Sequence, residues 1–331
     1  MRRVAAILLI LALVFYVPAC TTQGKNEAGA ILDNPTTVPL STANPDATQA
    51  PPATKPAAPT PAAPYLVYSP YVVPLSVLEY LGDDYELYCK MVDSIINYDG
   101  HVSGFFSEEH FHKLWSVLLG EFYPAQKVCE TYRTSDEPYT YNDGTAQIKF
   151  QLERAEHNAT INAFADRITQ DLSLVKEEDS EVAIIAKLYM HVSTSIQYAY
   201  GAGCMYDCIM SNRGICGNYA EYLIFLLNHA GVECHSAGCS GAGTDHAWVI
   251  AKIGAQYYHF DPTWEAVSRD WRWFGISDEV RHASVTDPAL KDSLKLYGDY
   301  DKATYQWLPP KECPETYCPD NRESGDPPWM W

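Results

Sequence analysis

From His246 to Ile253 the chain alternates, with Ala247, Val249, Ala251 and Ile253 on one face and His246, Trp248, Ile250 and Lys252 on the other. That period of two predicts a β-strand. Gly254-Ala255 supplies a two-residue turn, so Ile253 should pair with Gln256 on a returning strand that ends near Asp261. Upstream the period changes. Ala220, Leu223, Ile224 and Leu227 recur at i, i+3, i+4 and i+7, which predicts a helix that starts at Cys216 and is closed by Gly231. Ser107 followed by Glu108 and Glu109, then Phe111, Leu114, Trp115 and Leu118, predicts a second helix inside a mainly helical stretch from Tyr65 to about Val175.

The N-terminus has no such periodicity. Met1-Arg2-Arg3, the apolar run Val4 to Val17 and then Pro18-Ala19-Cys20 have the charged start, short hydrophobic core and small residue of an export signal. The run is short for a bilayer span. Cys20 at its end resembles the lipid-modified cysteine of bacterial lipoproteins, and Val17-x-Ala19 also suits ordinary cleavage. Residues 21–64 carry prolines among Ala and Thr with almost no large apolar side chain. Such a segment cannot offset its ordering entropy, and as a polyproline-like spacer its reach would be roughly 100 Å. The expected organisation is a signal at 1–19, a lipidated cysteine and linker at 20–64, a mainly helical region at 65–175, a core at 176–310 and an irregular tail at 311–331.

Three residues in the predicted hairpin and helix carry candidate chemistry. Cys216 lies at a helix N-terminus, where unpaired N–H groups and the macrodipole favour an anion and lower a thiol pKa. Even-numbered register places His246 diagonal to Asp261 on one strand face, so the carboxylate can orient the imidazole and the imidazole can hold the thiolate. None of these roles needs a metal, and no cofactor is expected. The plain alternatives are a buried structural thiol, a satisfied strand histidine and a turn aspartate before Pro262.

Gly214-Ile215-Cys216-Gly217-Asn218-Tyr219-Ala220, His246-Ala247-Trp248 and Tyr258-His259-Phe260-Asp261-Pro262-Thr263-Trp264 occur in the order of the transglutaminase-like superfamily, and the segment Glu181 to Tyr198 resembles the helix that precedes the cysteine there. The resemblance covers about residues 175–280. It implies an α+β, papain-like core, with the cysteine-bearing helix packed on an antiparallel sheet. It also implies a nucleophile at Cys216, a general base and acid at His246 and an orienting carboxylate at Asp261, with chemistry through a thioester. The chain departs at Val249, where many relatives have Asn. The Cys216 backbone N–H is one oxyanion donor, with Gln197 and Tyr206 as candidates for the second. Trp248 and Trp264 are candidates for a substrate groove, although aromatic residues at the density of Trp264, Trp271, Trp273 and Phe274 also suit a core.

Composition narrows the partners. A net charge of -19 argues against nucleic acid. It suits solubility and the attraction of lysine-rich amine donors or cationic peptides, while the resemblance implies a protein or peptide substrate and the N-terminal lipid a membrane contact. Setting aside Cys20 and Cys216 leaves eight cysteines, which suggests the pairs Cys204 with Cys208, Cys234 with Cys239, Cys313 with Cys318 and Cys89 with Cys129. A zinc site of Cys204, Cys208, Cys234, His235 and Cys239 is the rival reading, and its spacings do not follow zinc-ribbon pairs. His110 and His112 alternate with core positions and read as solvated. Two functions remain open: an exported cysteine enzyme acting on amide bonds by transfer or hydrolysis, and a non-catalytic surface module that binds protein or wall polymer on the same fold.

Overall fold

The computed structural model describes residues 65–330 apart from 202, 241–244, 285–294, 302, 304–305, 319 and 322–325. The expected signal, lipid site and linker lie outside the described residues. Among the described residues no helix is long and apolar enough to cross a membrane.

The first half is mostly helical: α1 (Leu75–Leu81), α2 (Tyr85–Ile96), α3 (Glu108–Glu121), α4 (Ala125–Val128) and α5 (Arg154–Leu172). Helix α3 begins where expected, because the Ser107 hydroxyl accepts from the backbone N–H of His110 at 3.1 Å and so satisfies one orphan donor of the first turn. Phe111, Leu114, Trp115 and Leu118 all face inward. A small antiparallel sheet is added to these helices, with β1 (His101–Ser103), β2 (Tyr139–Asn142) and β3 (Thr145–Ile148) in the order β1-β3-β2. Its strands are three or four residues long, too short for an alternation to stand out.

His110 and His112 are not solvated. His110 is buried with Nε2 3.0 Å from Asp84 Oδ1, and His112 lies 2.6 Å from the Tyr139 hydroxyl. Their imidazoles fill gaps between α3 and its neighbours, which an alternation count along one helix cannot detect.

The second half is built on α6 (Glu181–Ser195), α7 (Met205–Ser211), α8 (Cys216–His229), α9 (Pro262–Ser268) and α10 (Asp278–Ala283). Two short parallel strands, β4 (Gln197–Tyr198) and β5 (Arg213–Gly214), lead up to α8. The main sheet is antiparallel, with β6 (Cys234–Ser240), β7 (His246–Ile253), β8 (Gln256–Phe260), β9 (Phe274–Ile276) and β10 (Lys295–Tyr297) in the order β10-β6-β7-β8-β9. A last hairpin joins β11 (Tyr300–Asp301) to β12 (Gln306–Trp307).

The alternation along β7 divides the two faces of this sheet. Val249 and Ala251 join the core formed with α5, α6 and α8, while Trp248 and Ile250 pack with Ala237, Cys239 and Cys313. Gly254-Ala255 is the turn, with Gly254 at φ 59°, and Ile253 pairs with Gln256. A separate apolar core fills the first half from Val77 to Ile161. Helix α5 spans both, since Ile161 belongs to one core and Phe164, Ile168 and Leu172 to the other. The core of the second half therefore takes in residues from within 65–175.

None of the four expected disulfides forms; all nine cysteines of the described residues are free. Cys234 and Cys239 are five residues apart on β6, an odd offset that points their side chains to opposite faces, and they fall in different cores. Cys313 is held through its backbone instead, donating to Asp278 Oδ2 at 2.7 Å while its carbonyl accepts from the Asp278 N–H at 2.8 Å. With Tyr317 N–H donating to the Gly275 carbonyl at 2.8 Å, the tail is tied down without a covalent bridge.

Glu265 locks the turn that follows α9. Its fully buried carboxylate accepts from the backbone N–H groups of Asp270 and Trp271, each at 2.8 Å, from Trp273 at 3.2 Å and from the Tyr189 hydroxyl at 3.1 Å. Removing it leaves several donors unpaired. Glu265→Ala should cost about 3 kcal/mol or more in a urea unfolding titration, and an unchanged midpoint would show that the turn does not depend on this carboxylate.

Candidate active site

The Cys216 turn is placed from behind by a buried polar cluster. Arg167 on α5 donates to Asp171 Oδ2 at 2.7 Å and to Asn212 Oδ1 at 2.8 Å. Asn212 is left-handed at φ 55° and immediately precedes β5. The same Asp171 carboxylate accepts from Tyr222 on α8 and lies 3.0 Å from His191 Nε2 on α6. Gly214 is required for closeness, because a Cβ there would lie 2.7 Å from Asn218 Cβ and 2.8 Å from Cys208 Sγ. The glycine beside the cysteine thus admits the chain's own side chains. Asn218 Oδ1 then accepts from the Ile215 N–H at 2.9 Å, while the Asn218 and Tyr219 N–H groups turn back to the Ile215 carbonyl. That leaves the N–H groups of Cys216 and Gly217 without helical partners, as at any helix start.

Cys216 and His246 face each other, and each favours the charged form of the other. His246 Nε2 donates to Asp261 Oδ2 at 2.7 Å, so Nδ1 is the ring nitrogen left for the sulfur. Asp261 is also the N-cap of α9, with Oδ1 accepting from the Trp264 N–H at 3.0 Å and Pro262 as the first helical residue. One carboxylate therefore both starts a helix and aligns the imidazole. The sequence places His246 and Asp261 on one strand face and Cys216 at a helix N-terminus, and in the fold His246 lies between the thiol and the carboxylate.

Electrostatics favour the charged form of the relay. Burial would push the Cys216 thiol up, but the bond to His246, its positive charge and backbone hydrogen bonds from Ala247 and Gly217 bring it below the ordinary thiol value. Burial would likewise push His246 down, yet the Asp261 charge and the bonds to Asp261 and Cys216 raise it to about 9. Asp261 is itself buried, and the positive charges of His246 and Arg281 hold its carboxyl below the usual carboxylate range. Each group thus shifts the other toward its charged form. The sulfur is screened, with Cys216 only 4% exposed.

Arg281 was not singled out by the sequence. It is buried on α10, donates from Nη1 to Asp261 Oδ2 at 2.9 Å, and lies with its guanidinium 4.0 Å from the Trp248 ring centre and 4.1 Å from that of Trp264. A lone arginine in a short helix has no pattern that marks it as interior. Trp248 is correspondingly no groove residue: it is 2% exposed, with Nε1 donating to His259 Nδ1 at 2.9 Å. Trp264 is half-buried, stacks on the His246 ring at 4.9 Å and 11°, and meets Trp273 edge-on at 4.6 Å.

Of the two upstream oxyanion candidates, Tyr206 is turned away. Its hydroxyl is 3.5 Å from the Thr160 carbonyl and its ring stacks on Phe164. Gln197 is exposed on β4 and pairs with Arg213, three positions before the cysteine, so the parallel register does not bring it abreast of Cys216. The Cys216 N–H at the start of α8 remains the donor that the backbone itself supplies.

The expected zinc rival does not assemble, because Cys234 and Cys239 face opposite ways. His259, Asp278 and Cys313 do come together, with ligand atoms within 4.8 Å of one another. Hydrogen bonding already accounts for them. Trp248 Nε1–H fixes His259 Nδ1 as an acceptor, so Nε2 carries the proton that it donates to Asp278 Oδ1 at 2.9 Å. A metal on Nε2 would need the opposite tautomer, placing two N–H groups against each other.

Residues 162–262 match the family model described as the Transglutaminase-like superfamily. The chain carries a transglutaminase-like superfamily domain. Cys216, His246 and Asp261 fall within the matched stretch, and Arg281 falls outside it. A solved structure from Cytophaga hutchinsonii, named as a "Putative Cysteine Protease", is similar at 16% identity and a TM-score of 0.26 over 30% of this chain and 37% of that one. The overlap spans little more than a third of that protein's length. A comparison with curated proteins gives no match.

Exposure and thiol acidity separate among these cysteines. Cys89 and Cys204 are more exposed than Cys216, but burial and neighbouring carboxylates hold their thiols above the ordinary value. Iodoacetamide at neutral pH should therefore alkylate Cys216 ahead of both, and Asp261→Asn should slow that reaction about tenfold, read by mass spectrometry of the peptides. Faster labelling of Cys89 or Cys204 would contradict the ion pair.

Proposed function

We propose that the chain is a cysteine enzyme acting on amide bonds of protein or peptide substrates through a thioester on Cys216. The observation that carries this reading is the meeting of Cys216, at the N-terminus of α8, with His246, which is in turn bonded to Asp261 at 2.7 Å. The thiolate attacks the amide carbonyl, and the developing oxyanion faces the Cys216 N–H. His246, protonated at Nδ1, gives that proton to the departing amine or ammonia. An amine or water then takes the acyl group from sulfur. Neutral imidazole serves as the base for that second attack and returns to the charged pair.

Transfer and hydrolysis differ in which nucleophile reaches the thioester first. Offering the purified protein a fluorescent primary amine with a glutamine-rich protein distinguishes them: covalent labelling marks transfer, and peptide release without labelling marks hydrolysis. Cys216→Ala should abolish either product. Product that persists in that variant, or partner binding and cellular phenotype that survive it untouched, would favour a binding module instead.

The pH dependence follows from the pair. His246 must hold its proton to act as the acid, and its pKa is raised to about 9, so the step that releases the amine should be retained below that value and lost as pH rises through it. A kcat profile with no alkaline decline near pH 9 would remove His246 from the role of acid.

We further propose that the enzyme works outside the cytoplasm, tethered by lipid on Cys20 through the proline-rich linker. This rests on the signal-like run and Cys20 in the sequence. Cys20→Ser should move the protein from the membrane pellet to the soluble fraction, and retention in the pellet would overturn the anchor.

A further inference from the structure

Three aromatic and cationic planes meet beside the relay. The Arg281 guanidinium lies between the indoles of Trp248 and Trp264, and the Trp264 indole is nearly parallel to the His246 ring. Arg281 and His246 donate to the same oxygen, Asp261 Oδ2, at 2.9 and 2.7 Å. We propose that Arg281 is a positioning residue of the Cys216–His246–Asp261 site: clamped between two tryptophans, it fixes the Asp261 carboxylate and, through Trp264, the plane of the His246 ring. The proposal rests on the cysteine-enzyme reading and adds to it a residue beyond the matched domain.

The helix that carries Arg281 is itself anchored. Ser277 caps α10, its hydroxyl accepting from the Val280 N–H at 3.2 Å. Asp278 is bonded to His259 on β8 and to both backbone groups of Cys313 in the tail. The tail thereby acts on the site without touching the sulfur, through the position of one short helix. A guanidinium suits this place better than an ammonium, because a planar cation stacks on indole faces while donating in its own plane, whereas lysine brings a point charge on a flexible stem.

The charge also has a sign. Cys216 on α8 and Asp261 at the β8–α9 junction face His246, and Cys239 pairs with it in register on β6. Asp245 before β7 and Tyr297 of β10 lie near Cys239, and His259 and Tyr189 lie near Arg281. Among these groups Arg281 is the fixed cation, and it opposes a second positive charge on His246. Without it the imidazolium should persist to higher pH.

The test compares full-length wild type, Arg281→Met and Arg281→Lys. Cys216 alkylation is followed from pH 5 to 11, and turnover is measured in the assay that gives product with the wild type. In Arg281→Met the alkaline transition of alkylation should move up by about one pH unit, and kcat should fall about tenfold with KM unchanged, because Arg281 does not reach substrate. In Arg281→Lys the transition should return to the wild-type position while kcat recovers only in part. A merely structural arginine would lower the melting temperature of Arg281→Met and leave the transition where it was, which would overturn the proposal. If Arg281→Met does not fold, Arg281→Lys decides: wild-type kcat would overturn the clamp, and a severalfold loss at an unmoved transition supports it. A wild type without enhanced Cys216 alkylation at neutral pH would sink the cysteine-enzyme reading and this proposal together. A reactive wild type matched by Arg281→Met would sink this one alone.

Discussion

A carboxylate buried to 1% exposure is the constraint around which the second half of the molecule is arranged. Asp261 has no water to solvate it, so each oxygen must find donors within the protein. Oδ1 takes the Trp264 N–H and starts α9; Oδ2 takes His246 and Arg281. The charge is tolerated because two cations face it, and the cost of separating any of them is high. The imidazole is held charged by that carboxylate and in turn holds the thiolate, so the state of the sulfur is set by a group that does not touch it.

Rigid elements carry every member of this chain. Cys216 begins a helix fixed by the Arg167–Asp171–Tyr222 cluster and by the tight contact at Gly214. His246 begins the central strand β7, paired on both sides. Asp261 joins the next strand to a helix whose following turn is tied to Glu265. Sites built on paired strands and helix starts hold their geometry more tightly than sites on loops.

The face of the sheet opposite the main helical core has its own organisation. Trp248, Ile250, Ala237 and Cys239 pack there against Cys313, and the His259–Asp278 pair joins the strand to α10. Three groups that together resemble a metal site are instead a proton-satisfied connection between sheet, helix and tail. The tail is held by backbone hydrogen bonds rather than a disulfide, which makes its order conditional on the fold beneath it.

The sequence alone determined the elements that obey a period and the residues that open them. The alternation of His246 to Ile253, the two-residue turn, the helix from Cys216 and the Ser107 cap are local consequences of side-chain direction and backbone donors, and the pairing of Ile253 with Gln256 follows from the turn. The resemblance of three blocks to the transglutaminase-like superfamily marked Cys216, His246 and Asp261. Tertiary structure decided what no period records. It turned Tyr206 toward Thr160, sent Cys234 and Cys239 to opposite cores, buried His110 beside Asp84 and set His112 half-buried against Tyr139. It also laid Arg281 between Trp248 and Trp264, residues 33 and 17 positions away in the chain. Those outcomes depend on which surfaces meet when helices and sheet pack, and a contact between distant segments leaves no trace in the spacing of either one.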